Sequence, residues 1–255
     1  MVARTDQWSV SVDRRAGAPI GAPCHTGGVG YAREVAEQIY DVARTNRFWM
    51  SWNLALAFVP AVFAIFLFWR PHRRSVGWWA AAGVFALFLP NAPYVLTDII
   101  HLRVDATLAK SDAALVFGVL PMYALFVLLG MGSYLFCMEG IIREVRSTRP
   151  ATSRSTVELP VHALCALGIV IGRIARLNSW DTITQPAGTL ESVFTTLTWR
   201  GAPVAFVCVF FAVWLAYTVV RALVVATSAW GTRWATRFGL LSSHPGAAPT
   251  PLPAD

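Results

Sequence analysis

The 255 residues are 56% hydrophobic and only 14% charged, with a formal net charge of +7. Soluble domains carry about 25% charged residues, so this composition excludes an ordinary soluble domain, and its apolar content excludes disorder over most of the chain. Four cysteines are too few for a secreted disulfide scaffold. The basic residues sit between apolar runs and not among exposed aromatics on polar segments, which argues against nucleic-acid binding.

The first 30 residues are rich in Gly, Ala and Arg and contain no apolar core of a signal peptide, so they read as a disordered tail. Residues 31–47 can form a short amphipathic helix with Val35, Ile39 and Val42 on one side. Phe48–Trp69 is the first membrane span. About 22 residues at 1.5 Å each cross a ~30 Å hydrocarbon core, and Trp49, Trp52 and Trp69 suit its two interfaces.

The second apolar stretch starts at Val76 and meets Pro90 and Pro93 with Asn91 between them. Each proline removes an amide donor and disfavours the α region at Leu89 or Ala92. About 13 helical residues cover only ~20 Å, so a break within or near the membrane is expected, of the kind that often marks a binding site. The simpler alternative is a helix that ends at the headgroups. Ala113–Cys137, Val157–Ala175 and Pro203–Thr227 are further spans, giving about five. Gly130-Met131-Gly132-Ser133 supplies small residues for close helix approach. An interfacial helix around Trp230–Phe238 and a disordered Pro-rich tail complete the chain. Cys137, Cys165 and Cys208 lie in apolar runs without metal spacing and read as small buried hydrophobes. The expected architecture is an all-α polytopic bundle: a polar region over 1–47, a transmembrane domain over 48–227 and a tail over 228–255.

Two polar constellations interrupt this apolar background. Asn91 is a candidate N-cap for a helix to about Val104. At about 100° per residue, Asn91, Tyr94, Thr97, Asp98, His101 and Asp105 share a third of its circumference. Asp98, His101 and Asp105, at spacings of three and four, can converge to hold a divalent metal or to tune a proton-transferring histidine; a solvated face, or bonds to neighbouring helices, is the plainer alternative. The other constellation is Arg173, Arg176, Asn178, Trp180 and Asp181. Glu158, His162, Arg173 and Arg176 fall on one helical stripe that should face the bundle or an interface, where arginine pairs with carboxylate or phosphate; snorkelling arginines are the alternative. With five crossings, both constellations lie on one side of the membrane. The arginines after spans one and three outnumber those of the motif loops, which places the motifs outside the cytoplasm and the C-terminus inside; Arg44 and Arg47 argue the other way.

Trp52-Asn53-Leu54 with Pro60, Leu89-Pro90-Asn91-Ala92-Pro93-Tyr94 with Thr97-Asp98 and His101-Leu102, and Gly172-Arg173 with Arg176 and Asn178-Ser179-Trp180-Asp181 carry a resemblance. In these segments the chain resembles an uncharacterised bacterial integral membrane family, domain-of-unknown-function family 1361, over about residues 48 to 225. The resemblance implies a motif set and no assigned activity. Family members often carry a further helix before the Trp-Asn-Leu segment, where this chain is polar. An aromatic-rich acidic segment before the third span is reduced here to Lys110-Ser111-Asp112.

Three function classes remain open. A membrane-embedded enzyme would use Asp98, His101, Asp105 and Asp181 in catalysis, with Asn91, Tyr94, Arg173, Arg176, Asn178 and Trp180 holding a lipid, lipid-linked or anionic substrate. A small transporter would use the same charges in a cavity at the broken helix. An accessory protein, alone or as a homo-oligomer, would use them to lock helices or bind a partner.

Overall fold

The computed structural model describes residues 28–70, 74–175, 184 and 186–237, with the side chains of 186 and 231–237 left undescribed. Every regular element among them is helical. Five helical stretches are long and apolar enough to cross a membrane: Gly28–Trp69, Val76–Leu108, Asp112–Thr148, Arg154–Ala175 and Ala202–Trp230. The chain is therefore an all-α bundle that inserts in a membrane.

Helix α1 (Gly28–Ala64) runs on as one π-helical turn, Ile65–Trp69. The amphipathic segment and the first span form one unbroken helix, because nothing between Tyr31 and Trp52 stops it: there is no proline or glycine in that stretch. Its outer part stays packed to the third span. Ser111 Oγ donates to Gln38 Oε1 at 2.9 Å, Ser133 Oγ donates to the carbonyl of Ala57 at 2.7 Å, and Trp69 stacks on Phe136. Those pairings run in the same direction along both helices, so the first and third spans are parallel.

The second span lies antiparallel to both. Ser75 caps α2 (Val76–Phe88) by accepting from the amide of Trp78 at 3.3 Å. Pro90 and Pro93 do not unwind the chain beyond them. Leu89 keeps φ −54° and ψ −40°, and Pro90 itself is helical at φ −61° and ψ −21°. A one-turn helix α3 (Asn91–Tyr94) leads into a 3-10 stretch, Val95–His101, and then α4 (Leu102–Leu108). The prolines sit at the start of a new helix, where a missing N–H costs little. Asn91 is not the N-cap expected of it. Pro90 holds that position, and the Asn91 amide donates instead to the carbonyl of Phe88 at 3.1 Å. The interruption is a change of helical pitch held by glycines on the neighbouring spans. A Cβ on Gly130 would come within 2.6 Å of Val95, and one on Gly168 within 2.8 Å of Pro90.

The third span is α5 (Asp112–Ala114), a π-helical turn over Leu115–Val119 and α6 (Leu120–Thr148). Next come α7 (Arg154–Ala175), α8 (Pro186–Thr198) and α9 (Ala202–Arg237). The region expected as a separate interfacial helix from Trp230 continues α9 as far as Arg237. Phe238, residues 1–27 and the Pro-rich tail lie outside the described residues. Helix α8 is not among the elements expected from the sequence, although Leu190, Val193, Phe194 and Leu197 recur at amphipathic spacing. It exposes Leu190, Phe194 and Leu197 and buries Thr189 and Thr196. Leu67, Phe85, Met131, Tyr134, Met138 and Ile169 build the main core, and Val42, Met50, Val95, Tyr123 and Phe126 a second one beneath the polar site.

Candidate functional site

The site is built where the first and second spans cross. Asn46, Trp49 and Asn53, at spacings of three and four, form one stripe of α1. Asp105, His101 and Asp98 form the opposing stripe in antiparallel register. Asn53 Nδ2 donates to Asp98 Oδ2 at 2.8 Å, and Asn46 Nδ2 donates to Asp105 Oδ2 at 2.6 Å. Between these rungs the Trp49 ring leans on His101 with centroids 4.9 Å apart. Trp49 Nε1 donates to Asn46 Oδ1 at 2.6 Å, which leaves the Asn46 amide nitrogen directed at the carboxylate. Tyr123 from α6 donates its hydroxyl to Asp105 Oδ2 at 2.8 Å.

Helix α7 completes the arrangement. Its Arg173 donates to the carbonyl of Thr97 at 2.6 Å, to Asp98 Oδ1 at 3.2 Å and to the Tyr94 hydroxyl at 3.2 Å. The guanidinium also lies 5.0 Å from the centre of the Tyr94 ring, where cation–π attraction adds to the ion pair. The Asp98 side chain is 2% exposed and that of Arg173 33%. A buried carboxylate thus holds a partly exposed cation in place.

Of the residues singled out in the sequence, Tyr94, Thr97, Asp98 and Arg173 meet in one cluster. Asn91 lies half-buried at the start of α3, against Phe88. Asp98, His101 and Asp105 lie along one stripe as their spacing requires, but they do not converge. The side chains of α1 intercalate and engage each of them separately, so His101 sits exposed on Trp49 while the carboxylates turn to different amides. Among the described residues no group of three or more His, Cys, Asp or Glu is placed to hold a metal ion. Arg176, Asn178, Trp180 and Asp181 lie outside the described residues. One residue beyond Arg173, a cavity of about 550 Å³ is lined by Ile174, Ala175 and the α8 face bearing Glu191, Ser192 and Thr195.

A second polar cluster occupies the other end of α7, about 28 Å away at 1.5 Å per residue. Arg154 pairs with Glu139 of α6 and with Glu158 one turn on, and donates to the Tyr217 hydroxyl of α9 at 3.0 Å. Tyr217 in turn donates to Glu158 Oε1 at 2.6 Å. One turn deeper, His162 is wholly buried with Nδ1 2.8 Å from the Tyr134 hydroxyl. Its Nε2 has no hydrogen-bond partner among the described residues. Glu158 and His162 face the bundle, as charge in a membrane requires.

Sequence reasoning missed Asn46, Tyr123, Glu139, Arg154 and Tyr217 as site members. Asn46 carried a usable signal: it precedes Asn53 by the same seven-residue interval that separates Asp98 from Asp105. Tyr123 and Tyr217 look like ordinary aromatics in apolar runs, and nothing in their spacing marks them.

No curated protein and no solved structure matches the chain. A family model described as "Protein of unknown function (DUF1361)" matches residues 52–217, a range that takes in Asn53, Asp98 and Arg173 together with the whole Arg154 cluster. The chain belongs to this family, DUF1361.

Proposed function

We propose that the protein is a multi-pass integral membrane protein of the cell membrane that uses the Asp98–Arg173 site, at one membrane face, to hold an anionic group. The observation that carries this reading is the convergence of Asn53, Asp98 and Arg173 from three separate spans on one buried carboxylate. Asp98 is the positioning residue, fixed from one side by Asn53. Arg173 is the part-exposed partner, oriented by three acceptors and backed by the Tyr94 ring. A guanidinium held in this way suits a phosphate or carboxylate through paired N–H donors. The cavity beside Ile174 gives such a ligand room, and the apolar exterior of α8 suits an interface. The arginine-rich ends of spans one and three favour an extracytoplasmic site and a cytoplasmic C-terminus.

Thermal unfolding of the detergent-purified chain in rising concentrations of glycerol phosphate and inorganic pyrophosphate tests the reading. A saturable rise in Tm is expected for the wild type and is lost in Arg173→Lys, which keeps the charge but not the fork. Equal responses in both proteins, or none in either, overturn it.

A second reading, proton or ion handling within the bundle, is favoured by His162, buried between α6, α7 and α9 with one nitrogen unpartnered among the described residues. Proton flux into vesicles containing the protein would fall in His162→Phe; flux unchanged from wild type removes this reading.

A further inference from the structure

Between the level of Asp98 and the Trp69 end of the first span, the parallel helices α1 and α6 leave an outward-facing groove of about 390 Å³. Phe58, Val62, Ile65, Leu128, Gly132 and Phe136 line it. The one hydroxyl in the lining, that of Ser133, is already engaged with the carbonyl of Ala57. Gly132 keeps the groove open: a Cβ there would meet nothing within 4 Å, whereas one on Gly130, on the inner face of the same helix, would strike Val95.

The groove ends at a basic, aromatic rim. Trp69 stacks on Phe136 with ring centroids 5.2 Å apart, and the Arg143 guanidinium lies 5.2 Å over Trp69. Arg70 lies 4.8 Å over Phe66 on the neighbouring helix. Both arginines are exposed, and they sit one to two helical turns beyond the groove, about 8 to 10 Å along the helices. The acidic side chains of the same helix are held elsewhere, Glu144 on Arg74 and Glu139 on Arg154. An apolar channel along the membrane normal, closed at its headgroup end by two cations on aromatic faces, matches the parts of an anionic lipid in order: acyl chain, then phosphate.

We propose that this groove is a binding site for an anionic phospholipid, with one acyl chain lying between α1 and α6 and the phosphate held by Arg143 and Arg70.

Native mass spectrometry of the full chain, released from membranes of equal phosphatidylglycerol and phosphatidylcholine, tests the assignment. Preferential retention of phosphatidylglycerol is expected. Arg143→Gln should lower it roughly tenfold, the loss of one charge-assisted hydrogen bond. Gly132→Leu should lower retention of phosphatidylglycerol without altering charge. Arg103→Gln, an equal charge change on an exposed side chain at the other end, should leave it intact. Equal retention of the two lipids overturns the proposal, as does wild-type retention in either groove variant. A loss on Arg143→Gln with none on Gly132→Leu also overturns it, because the lipid would then be held by surface charge alone.

Discussion

The two ends of α7 carry the same chemistry arranged in opposite ways. At one end Arg173 meets a carboxylate and a tyrosine; at the other Arg154 meets two carboxylates and a tyrosine. In the first pair the acid is buried and the cation is one-third exposed. In the second the cation, at 22% exposure, is enclosed by Glu158 at 16% while Glu139 stands out at 39%. Arg173 has a single acid, Asp98, beside two neutral acceptors and the Tyr94 ring, and stays one-third exposed. Two acids make Arg154 redundantly paired, and Tyr217 ties both α7 and α9 into the same knot. The first arrangement suits contact with something outside the protein, and the second suits joining three helices.

That difference is open to attack at Asp98 first. Asp98→Asn leaves Arg173 with three neutral oxygens, that of the introduced amide included, and no countercharge, and removing the acid from this largely buried pair costs about 2–3 kcal/mol. Reversible unfolding of the purified protein in mixed micelles should show this as the largest loss of any single change in either cluster. A loss as small as that of an exposed ion pair would mean that Asp98 does not hold Arg173, and the contrast would disappear.

The next test belongs to the histidine beneath the Arg154 knot. Tyr134→Phe removes the partner of His162 Nδ1 and leaves a wholly buried imidazole with neither nitrogen paired, at a cost of roughly 1–3 kcal/mol. Combining it with His162→Leu removes both polar groups together and should recover most of that loss, since deleting both partners of a buried bond is close to neutral. A double variant no more stable than Tyr134→Phe alone would show that His162 is held by Glu158 and Tyr217 more than by Tyr134. The lower end of α7 would then be one network and not two layers.

How far each cluster could be read in the sequence depends on its geometry. The spans, their number and the shared side of Asp98 and Arg173 come from hydropathy and from the alternation of crossings. The cluster around Asp98 lies in segments whose polar residues stand out against an apolar background. What spacing along one helix could not give is partnership across helices. Asp98 and Asp105 share a stripe, yet whether they meet each other or the amides of Asn53 and Asn46 depends on the register of α1, which helical periodicity leaves free. The pitch change after Pro90 was hidden because each proline, taken singly, disfavours helix, while together at a helix start they are compatible with it. The Arg154 knot was less visible still. Its members come from three helices, and Arg154 and Glu139 look in sequence like charges at a membrane boundary.

The smallest expected effect discriminates between the two designs most sharply. Glu139→Gln removes one of Arg154's two acids, and it is the more exposed one. Glu158 and the Tyr217 hydroxyl still satisfy the guanidinium, and the introduced amide still offers an oxygen. Exposed ion pairs contribute about 0–1 kcal/mol, so the loss in the same unfolding measurement should fall below about 1 kcal/mol. A loss approaching that of Asp98→Asn would mean that Arg154 depends on Glu139 alone, and both ends of α7 would then be built on a single essential acid. A small loss would leave Arg173 as the only arginine of the two with a single carboxylate partner, an arrangement that suits the proposed anion site.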